Sequence, residues 1–316
     1  MTACVLAFDF GGTRARCALV ARDGSRLALD VRNRPAEADG RGWLDRMIQA
    51  ARELRAAHPA HAPLAIGVSF GGPVGLDGRI HSMHVAGWEH VDLPGMLSAA
   101  FSLPCAVDND ANLGAYGEYR YAPGVRGRDL AYFTVSTGVG GGFVWKGKPF
   151  RGAHGLAAEF GHIPVCPDDP SAPVCACGKR GCVESLASGR AIELAGREAL
   201  GAAGREAVEG FNAGDVFAAA GRGEAWALPV RDRAVGALAW GVASILCVLD
   251  LPLVVLGGGV TQAGEALFEP LRERVEGYLP VVLRGRAEVR PAALGQFSPL
   301  LGAAALAWDR LDAEHT

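Results

Sequence analysis

An apolar strand, a glycine turn and a second apolar strand follow one another twice in this chain. The first copy is VLAFDF, then Gly11 and Gly12, then RARCALV, and the second is AYFTVSTGVGGGFVWKGK in mid-chain. Glycine pairs at the ends of strands are typical of tight turns between paired strands. The two copies agree in pattern rather than in close identity, so we expect two related halves.

Helical and strand periodicities alternate along the rest of the sequence. Trp43, Met47, Ile48, Ala51 and Leu54 would share one face of a helix, and LAIGVSF predicts a strand. Further helices are predicted at 190–200, 230–249, 265–278 and 300–311, and a further strand at LPLVVLGGG. This alternation is typical of an α/β fold.

Length and composition favour two domains in a soluble protein. A chain of 316 residues, half of them hydrophobic, is long for a single core. The turn-rich patch 123–128 places the boundary, giving domains of 1–123 and 124–298. The net charge of -3, without a basic stripe, argues against nucleic acid as a partner. The most apolar stretch, 241–256, is interrupted by Asp250 and Pro252, so we expect no membrane span.

The eight cysteines do not by themselves indicate disulfides. The opening apolar run, 3–8, is too short for a secretory leader and meets Asp9 at once. We therefore expect a reducing, cytoplasmic environment, in which cysteines more often bind metals.

One segment, 159–184, has the spacing of a zinc site. Cys175, Cys177 and Cys182 with His162 would make a tetrahedral set of three sulfurs and one nitrogen. Four protein ligands leave no open position, so such a zinc ion would be structural rather than catalytic. The alternative is a set of core cysteines with an unrelated surface histidine.

Two carboxylates flank these ligands. Glu159 lies three residues before His162, and Glu184 lies two residues after Cys182. A bound metal would fix both carboxylates, and the second ring nitrogen of His162 would remain free to donate a hydrogen bond. Two acids and a donor held together suit a ligand rich in hydroxyl groups.

Two glycine-rich loops predict contacts to phosphate groups. In the first, Gly11 and Gly12 leave backbone N–H groups accessible, Thr13 adds a hydroxyl, and Asp9 precedes them. The second is STGVGGG, 136–142, and two such loops would bind a polyphosphate from both sides. Each loop alone is also compatible with an ordinary hairpin turn or a bulged hairpin.

The sequence VDNDAN places Asn109 and Asp110 between a short strand and a helix. Asp110 is our candidate general base, because a carboxylate can accept the proton of an alcohol during phosphoryl transfer. The competing interpretation is that either residue merely caps the helix. Asp108 alternates to the opposite face of the strand from Asn109 and is not assigned to catalysis.

Two further glycine loops are weaker candidates. LGGGV, with Gly257, Gly258 and Gly259, would let an adenosine lie against bare backbone, although a tight strand-to-helix turn explains it equally. SFGGPVG, with Gly72, would allow close approach of a ligand or form only a turn.

Together these motifs resemble those of the ROK family of bacterial repressors and sugar kinases. They occur in the family's order over nearly the whole chain, and the zinc segment is the most specific: DFGGT at Asp9, VDNDAN at Val107, STGVGGG at Ser136, E-x-x-H at Glu159, C-x-C-G-x-x-G-C-x-E from Cys175, and LGGGV at Leu256.

The resemblance implies an actin-like, ribonuclease-H-like ATPase fold with two α/β domains, a cleft between them and a last helix, about 299–316, returning to the first domain. It implies ATP with Mg²⁺, a hexose acceptor and a homodimer. The implied roles are catalytic base for Asp110, sugar ligand for Asn109, Glu159, His162 and Glu184, phosphate contact for Gly11, Gly12, Thr13, Thr137 and Gly138, and adenosine contact for Gly257 and Gly258.

One stretch departs from the glucokinase-like members, in which an Asn before Leu-Pro-Gly-Trp touches the sugar. Here the corresponding stretch, HSMHVAGWEHVDL, keeps Gly87 and Trp88 but lacks that Asn, and the roles of His81 and His84 are open. We expect glucose phosphorylated at O6, with N-acetylhexosamine, mannose or fructose as alternative acceptors and polyphosphate as an alternative donor.

Three rival functions remain to be compared with a kinase. A sugar-responsive repressor would need a helix-turn-helix ahead of the first glycine loop, which begins here within the first strand. A sugar sensor would bind sugar without releasing ADP. An actin-like or chaperone ATPase would have no use for the segment 159–184.

Overall fold

The computed structural model describes residues 2–81 and 85–314 of the chain. It contains two compact units, each with its own sheet and helices. The first comprises Met1–Gly127, Phe143–Ala157 and Phe297–Thr316, and the second comprises Arg128–Gly142 and Ala158–Gln296. The predicted α/β class is confirmed.

The first sheet has a central parallel core and an antiparallel edge. Its strands are β1 (Thr2–Phe10), β2 (Arg14–Val20), β3 (Arg26–Asn33), β4 (His61–Phe70) and β5 (Cys105–Asn109). The order is β3-β2-β1-β4-β5, with β1 antiparallel to β2 and parallel to β4. Because β1 lies in the middle of the sheet, it is buried from its third residue onward, as its apolar run predicts.

Three helices of this unit are α1 (Gly40–Ala57), α2 (Leu93–Phe101) and α3 (Asp110–Tyr121). α1 begins where the Asp39 side chain accepts a hydrogen bond from the backbone of Gly42, 2.8 Å away. Its apolar face, which includes the completely buried Leu44, packs in the core of this unit. Burial of such a leucine contributes about 1.5–3 kcal/mol to stability.

The second sheet repeats the strand order of the first. Its strands are β6 (Leu130–Val135), β7 (Val139–Trp145), β8 (Lys148–Pro149), β9 (Leu253–Gly257) and β10 (Glu288–Pro291). Read from the other edge, the order is β8-β7-β6-β9-β10, so each sheet runs third, second, first, fourth, fifth. This agreement matches the strand–glycine–strand repeat of the sequence.

Five helices belong to the second unit: α4 (Val183–Ala187), α5 (Gly189–Ala202), α6 (Ala213–Gly221), α7 (Ala227–Leu249) and α8 (Glu265–Tyr278). Among the residues described, α7 alone has the length and apolar content of a membrane span. However, 56% of its most apolar window is buried inside the protein, as in core helices of folded domains.

The last helix, α9 (Ser298–Glu314), packs against β1, β4 and α3 of the first unit. Gly117 on α3 and Gly302 on α9 lie where the two helices cross. A side chain at either position would collide with the backbone of the other helix. The small residues therefore permit a close crossing, which covers one face of the first sheet.

Candidate functional site

Asp9, at the end of β1, is almost completely buried, with 6% of its surface exposed. The Ser69 hydroxyl donates to its Oδ1 at 2.8 Å, and the Arg16 guanidinium donates to its Oδ2 at 2.6 Å. Burial raises the pKa of the Asp9 carboxyl, and Arg16 and Ser69 oppose this change. Neither partner was predicted, although Arg16 faces Asp9 directly across the β1–β2 hairpin.

The first glycine turn is a hairpin that keeps some donors free. The Gly11 N–H donates to the carbonyl of Arg14 at 2.9 Å and closes the turn, so it is not available to a ligand. Gly12 and Thr13 are exposed, and within the described chain their N–H groups have no hydrogen-bond partner. The turn is therefore both an ordinary hairpin and a loop with donors suited to an anion.

Asn109 is the N-cap of α3, as one of the two interpretations predicted. Its Oδ1 accepts from the backbone N–H groups of Ala111 and Asn112 at 2.9 and 3.3 Å. Its Nδ2 donates to the Gly72 carbonyl at 3.0 Å, which joins two of the predicted sugar contacts. One Nδ2 hydrogen remains for a ligand.

Asp110 is the first residue of α3, and its side chain does not cap the helix. A Cβ placed on Gly71 would lie 3.8 Å from Asp110 Oδ2 and 3.7 Å from the Cα of Gly11, so the carboxyl group and the first glycine turn both lie next to Gly71. Burial, and then the charge of Asp9, raise the pKa of Asp110 to about 7. Such a carboxyl is suited to accept a proton near neutral pH.

Asp108 is held by hydrogen bonds within the protein. It is 2% exposed and accepts from Arg151 Nε at 2.8 Å, from the Asn109 backbone at 2.8 Å and from Asn112 Nδ2 at 3.2 Å. These bonds fix the strand-to-helix turn that carries Asn109 and Asp110.

The stretch that departs from the glucokinase pattern contains both core and surface residues. Trp88 is 2% exposed and packs edge-on against Phe10 and Phe70, with ring centroids 5.5 and 5.1 Å away. It is therefore a core residue. His81 is exposed, and its backbone carbonyl packs against Gly72. His84 lies outside the described residues.

Three of the four candidate zinc ligands come together in the second unit: ligand atoms of His162, Cys175 and Cys177 lie within 4.8 Å of one another, and Cys182 adjoins this group through Cys177. The Sγ atoms of Cys177 and Cys182 are 3.7 Å apart, and Cys175 Sγ is 3.5 Å from His162 Nδ1. Zn–S bonds of about 2.3 Å and Zn–N bonds of about 2.0 Å in a tetrahedron place two sulfurs about 3.8 Å apart and a sulfur and a nitrogen about 3.5 Å apart. These two pairs therefore have the spacing of zinc ligands.

The two flanking carboxylates take different positions. Glu159 is exposed, and its Oε2 lies 3.9 Å from Nε2 of His162, the ring nitrogen that faces away from the cysteines. Glu184 is half-buried, and its Oε2 accepts from the Val139 N–H of the second glycine loop at 2.9 Å. Glu184 thereby joins the zinc segment to the loop that contains Gly138.

A cavity of about 950 Å³ lies wholly within the second unit. It is bordered by the first residues of α5, by α6 along its whole length, by the second glycine loop and by the turn after β9. Of the predicted contacts it includes Thr137, but in the turn after β9 it includes Gly259 rather than Gly257 or Gly258. Those two glycines instead pack against Tyr132 and Val135.

The wall that α6 contributes to this cavity carries no motif and was not predicted. It includes Asn212, Ala213, Gly214, Phe217 and Ala218.

Comparison with known proteins gives consistent results. A model of the ROK family matches residues 5–310. The chain is 33% identical over 317 residues to a glucokinase of Thermotoga maritima, covering 97% of this chain and 98% of that protein. It is 36% identical over 291 residues to an N-acetylmannosamine kinase of Shigella boydii, covering 91% and 89%.

A solved structure shows the same fold. The crystal structure of a ROK family glucokinase from Streptomyces griseus, in complex with glucose and AMPPNP, matches with a TM-score of 0.82 and 31% identity. The match covers 97% of this chain and 99% of that one. The actin-like fold that the motifs implied is thus confirmed. With the family model extending over nearly its whole length, the chain belongs to the ROK family.

Proposed function

We propose that this ROK sugar kinase transfers the γ-phosphoryl group of ATP to the O6 hydroxyl of glucose. The enzyme class rests on relatives named glucokinase and N-acetylmannosamine kinase. The observation that carries the proposal is Asp110, a carboxyl group with a pKa of about 7 beside the first glycine turn. We further propose cytoplasmic location and assembly as a homodimer.

In the proposed reaction Asp110 accepts the proton of the sugar hydroxyl as its oxygen attacks the γ-phosphorus. The new oxygen–phosphorus bond forms while the bond from the γ-phosphorus to the β–γ bridging oxygen breaks, and ADP leaves. Asn109, Gly72, Glu159, His162 and Glu184 hold the sugar. The remaining hydrogen of Asn109 Nδ2 and the outward ring nitrogen of His162 are donors available for its hydroxyl groups.

The donor phosphates are assigned to the free N–H groups of Gly12 and Thr13 and to the loop with Thr137 and Gly138, with the adenosine in the cavity beside Gly259. Mg²⁺ bound with ATP would neutralise charge on the phosphate oxygens. Both oxygens of Asp9 already accept hydrogen bonds, yet each keeps a lone pair. Asp9 therefore fits a magnesium ion held through water.

Zinc, in this proposal, is structural and would be held by His162, Cys175, Cys177 and Cys182. When bound, it supplies stiffness to the segment that carries Glu159 and Glu184 rather than any chemistry at the phosphate. Lys179 supports the same loop, because its Nζ donates to the His162 carbonyl at 2.9 Å.

Release of ADP across a panel of acceptors tests the proposal. The panel contains glucose, mannose, fructose, N-acetylglucosamine and N-acetylmannosamine, with ATP or polyphosphate as the donor. We expect the highest kcat/KM for glucose with ATP, and ³¹P NMR of the product should place the phosphate on O6. Preference for N-acetylmannosamine would instead assign the activity of an N-acetylmannosamine kinase. Sugar binding without ADP release would identify a sensor and refute the kinase.

Gly138→Ala should lower kcat/KM for the sugar. The added Cβ would lie 2.6 Å from Glu184 Oε2, so the carboxylate must move and lose its bond to the Val139 N–H. Loss of a hydrogen bond to a charged group costs about 1.5–3 kcal/mol, which corresponds to roughly tenfold or more. Steady-state kinetics measure the change. Gly201→Ala is the control, because its Cβ would meet no atom within 4 Å; equal kinetics for both variants would contradict the role of Glu184.

A further inference from the structure

Arg34 lies directly behind the first glycine turn and contacts it twice. Its Nε donates to the Gly12 carbonyl at 2.9 Å, and its backbone N–H donates to the Thr13 carbonyl at 2.8 Å. Its Nη1 donates to the carbonyls of Ala38 and Pro35 at 2.6 and 3.3 Å. The guanidinium thus bonds three backbone carbonyls, and within the described chain no carboxylate forms an ion pair with it.

The hydrogen bond from Arg34 to the Gly12 carbonyl affects the Thr13 N–H, which is one of the free donors of the turn. The Gly12 carbonyl and the Thr13 N–H belong to the same planar peptide, and in a trans peptide these two groups point in opposite directions. The Thr13 N–H is therefore directed away from Arg34. A charged donor on the carbonyl also polarises the peptide and strengthens its N–H as a donor.

Neighbouring arginines differ from Arg34 in their charge balance. Arg16 is paired with the Asp9 carboxylate at 2.6 Å. Arg32, which lies on β3 two residues before Arg34, is paired with Asp30 at 2.7 Å and with Glu53 at 3.4 Å. Among the residues that the structure describes, none provides such a counter-charge for Arg34, and an anion on the free N–H groups of the turn would provide one.

We propose that Arg34 is a positioning residue for the phosphoryl donor. It fixes the turn through two carbonyls, orients and polarises the Thr13 N–H toward the phosphates, and adds an unbalanced positive charge behind them. The inference rests on the proposed function, because the anion in question is the phosphate chain of the nucleotide. Arg34 does not touch the donor; it acts through the peptide between Gly12 and Thr13.

Two substitutions separate the charge of Arg34 from its geometry, and a third serves as the control. Arg34→Met removes the charge and all three side-chain bonds, whereas Arg34→Lys keeps the charge but cannot reproduce the planar fork. Arg32→Met removes a nearby guanidinium that carboxylates already neutralise. For each variant, calorimetry gives the dissociation constants of AMPPNP and of the sugar, kinetics give both KM values, and thermal unfolding checks the fold.

We expect Arg34→Met to weaken AMPPNP binding about tenfold or more and to leave the sugar constant within about twofold. Arg34→Lys should recover part of the loss, and Arg32→Met should bind as the wild type does. The affinity of Arg34→Met should also depend less on ionic strength, because one attractive charge is gone.

Three results would overturn the inference: unchanged AMPPNP affinity in Arg34→Met, equal weakening of nucleotide and sugar, or no recovery in a folded Arg34→Lys. The last two are the results expected of a purely structural clamp. If the wild-type protein binds AMPPNP but phosphorylates no sugar, the proposed kinase activity is refuted. The AMPPNP dissociation constants of the wild type and Arg34→Met would still decide the role of Arg34. A wild-type protein that does not bind AMPPNP would refute both.

Discussion

Replacing Asp110 with asparagine should lower kcat by about 10²–10⁴-fold while the protein remains folded. Asparagine has nearly the same shape but cannot accept the proton of the attacking hydroxyl. The change does not disturb the N-cap of α3, because Asn109 provides it. ADP release by the purified variant, compared with the wild type at saturating ATP and sugar, measures the loss.

Asp108→Asn is the matched control, since it removes the adjacent carboxylate. Asp108 is buried and paired with Arg151, so we expect a lower midpoint of thermal unfolding and a far smaller loss of kcat. Near-normal turnover by Asp110→Asn would show that another group takes the proton.

The same carboxyl group should give the enzyme a pH dependence. Because the pKa of Asp110 is raised to about 7, kcat/KM should fall below that pH as the base becomes protonated. The effect on stability has the opposite direction. A carboxyl with a raised pKa in the folded protein stabilises it fully below its ordinary value of 3.8, and this contribution is lost as the pH rises through about 7. The wild type should therefore lose this stability as the pH rises from 5 to 8, whereas Asp110→Asn should not. Thermal unfolding of both proteins at both pH values would measure the change in their difference.

Cys182→Ser should remove the zinc ion and disorder the segment that carries Glu159 and Glu184. Cys182 is completely buried, and its sulfur lies 3.7 Å from that of Cys177. Zinc binding contributes about 10–16 kcal/mol to the folding of small zinc-finger peptides, so its loss should lower the unfolding midpoint substantially. We also expect kcat/KM for the sugar to fall at least about tenfold.

Elemental analysis should find one zinc ion per wild-type chain and none in Cys182→Ser. Cys247→Ser is the control, because this exposed cysteine on α7 is remote from the ligands in sequence and should keep zinc, stability and kinetics unchanged. Wild-type protein that lacks zinc and tolerates chelators without loss of activity would eliminate the metal from the proposal.

Local patterns predicted the elements well because they depend on neighbouring residues. The periodicity at 265–278 coincides with α8, and the apolar run ending at Phe70 belongs to β4. Spacing also predicted a zinc site, since three of its proposed ligands lie within eight residues, and the structure brings two of them together with His162. Whether Asn109 or Asp110 caps α3 could not be decided, because both types are good caps and only the backbone geometry distinguishes them.

Contacts between distant parts of the chain were not predicted. Ser69 and Asp9 are sixty residues apart, and their hydrogen bond depends on the pairing of β1 with β4. Arg16 was within reach of prediction, since the hairpin register places it opposite Asp9. The α6 wall of the cavity has no recognisable signature, because it consists mainly of ordinary alanines and glycines, with Asn212 and Phe217 among them.

The position of α9 affects how the protein is made. The ribosome synthesises β1 and β4 within the first 70 residues, but the helix that covers them begins only at Ser298. During most of synthesis that apolar surface is uncovered and must be kept from aggregating. A premature stop codon just before Ser298 would leave every residue assigned to substrate in the polypeptide, yet the truncated product would be a target for proteases.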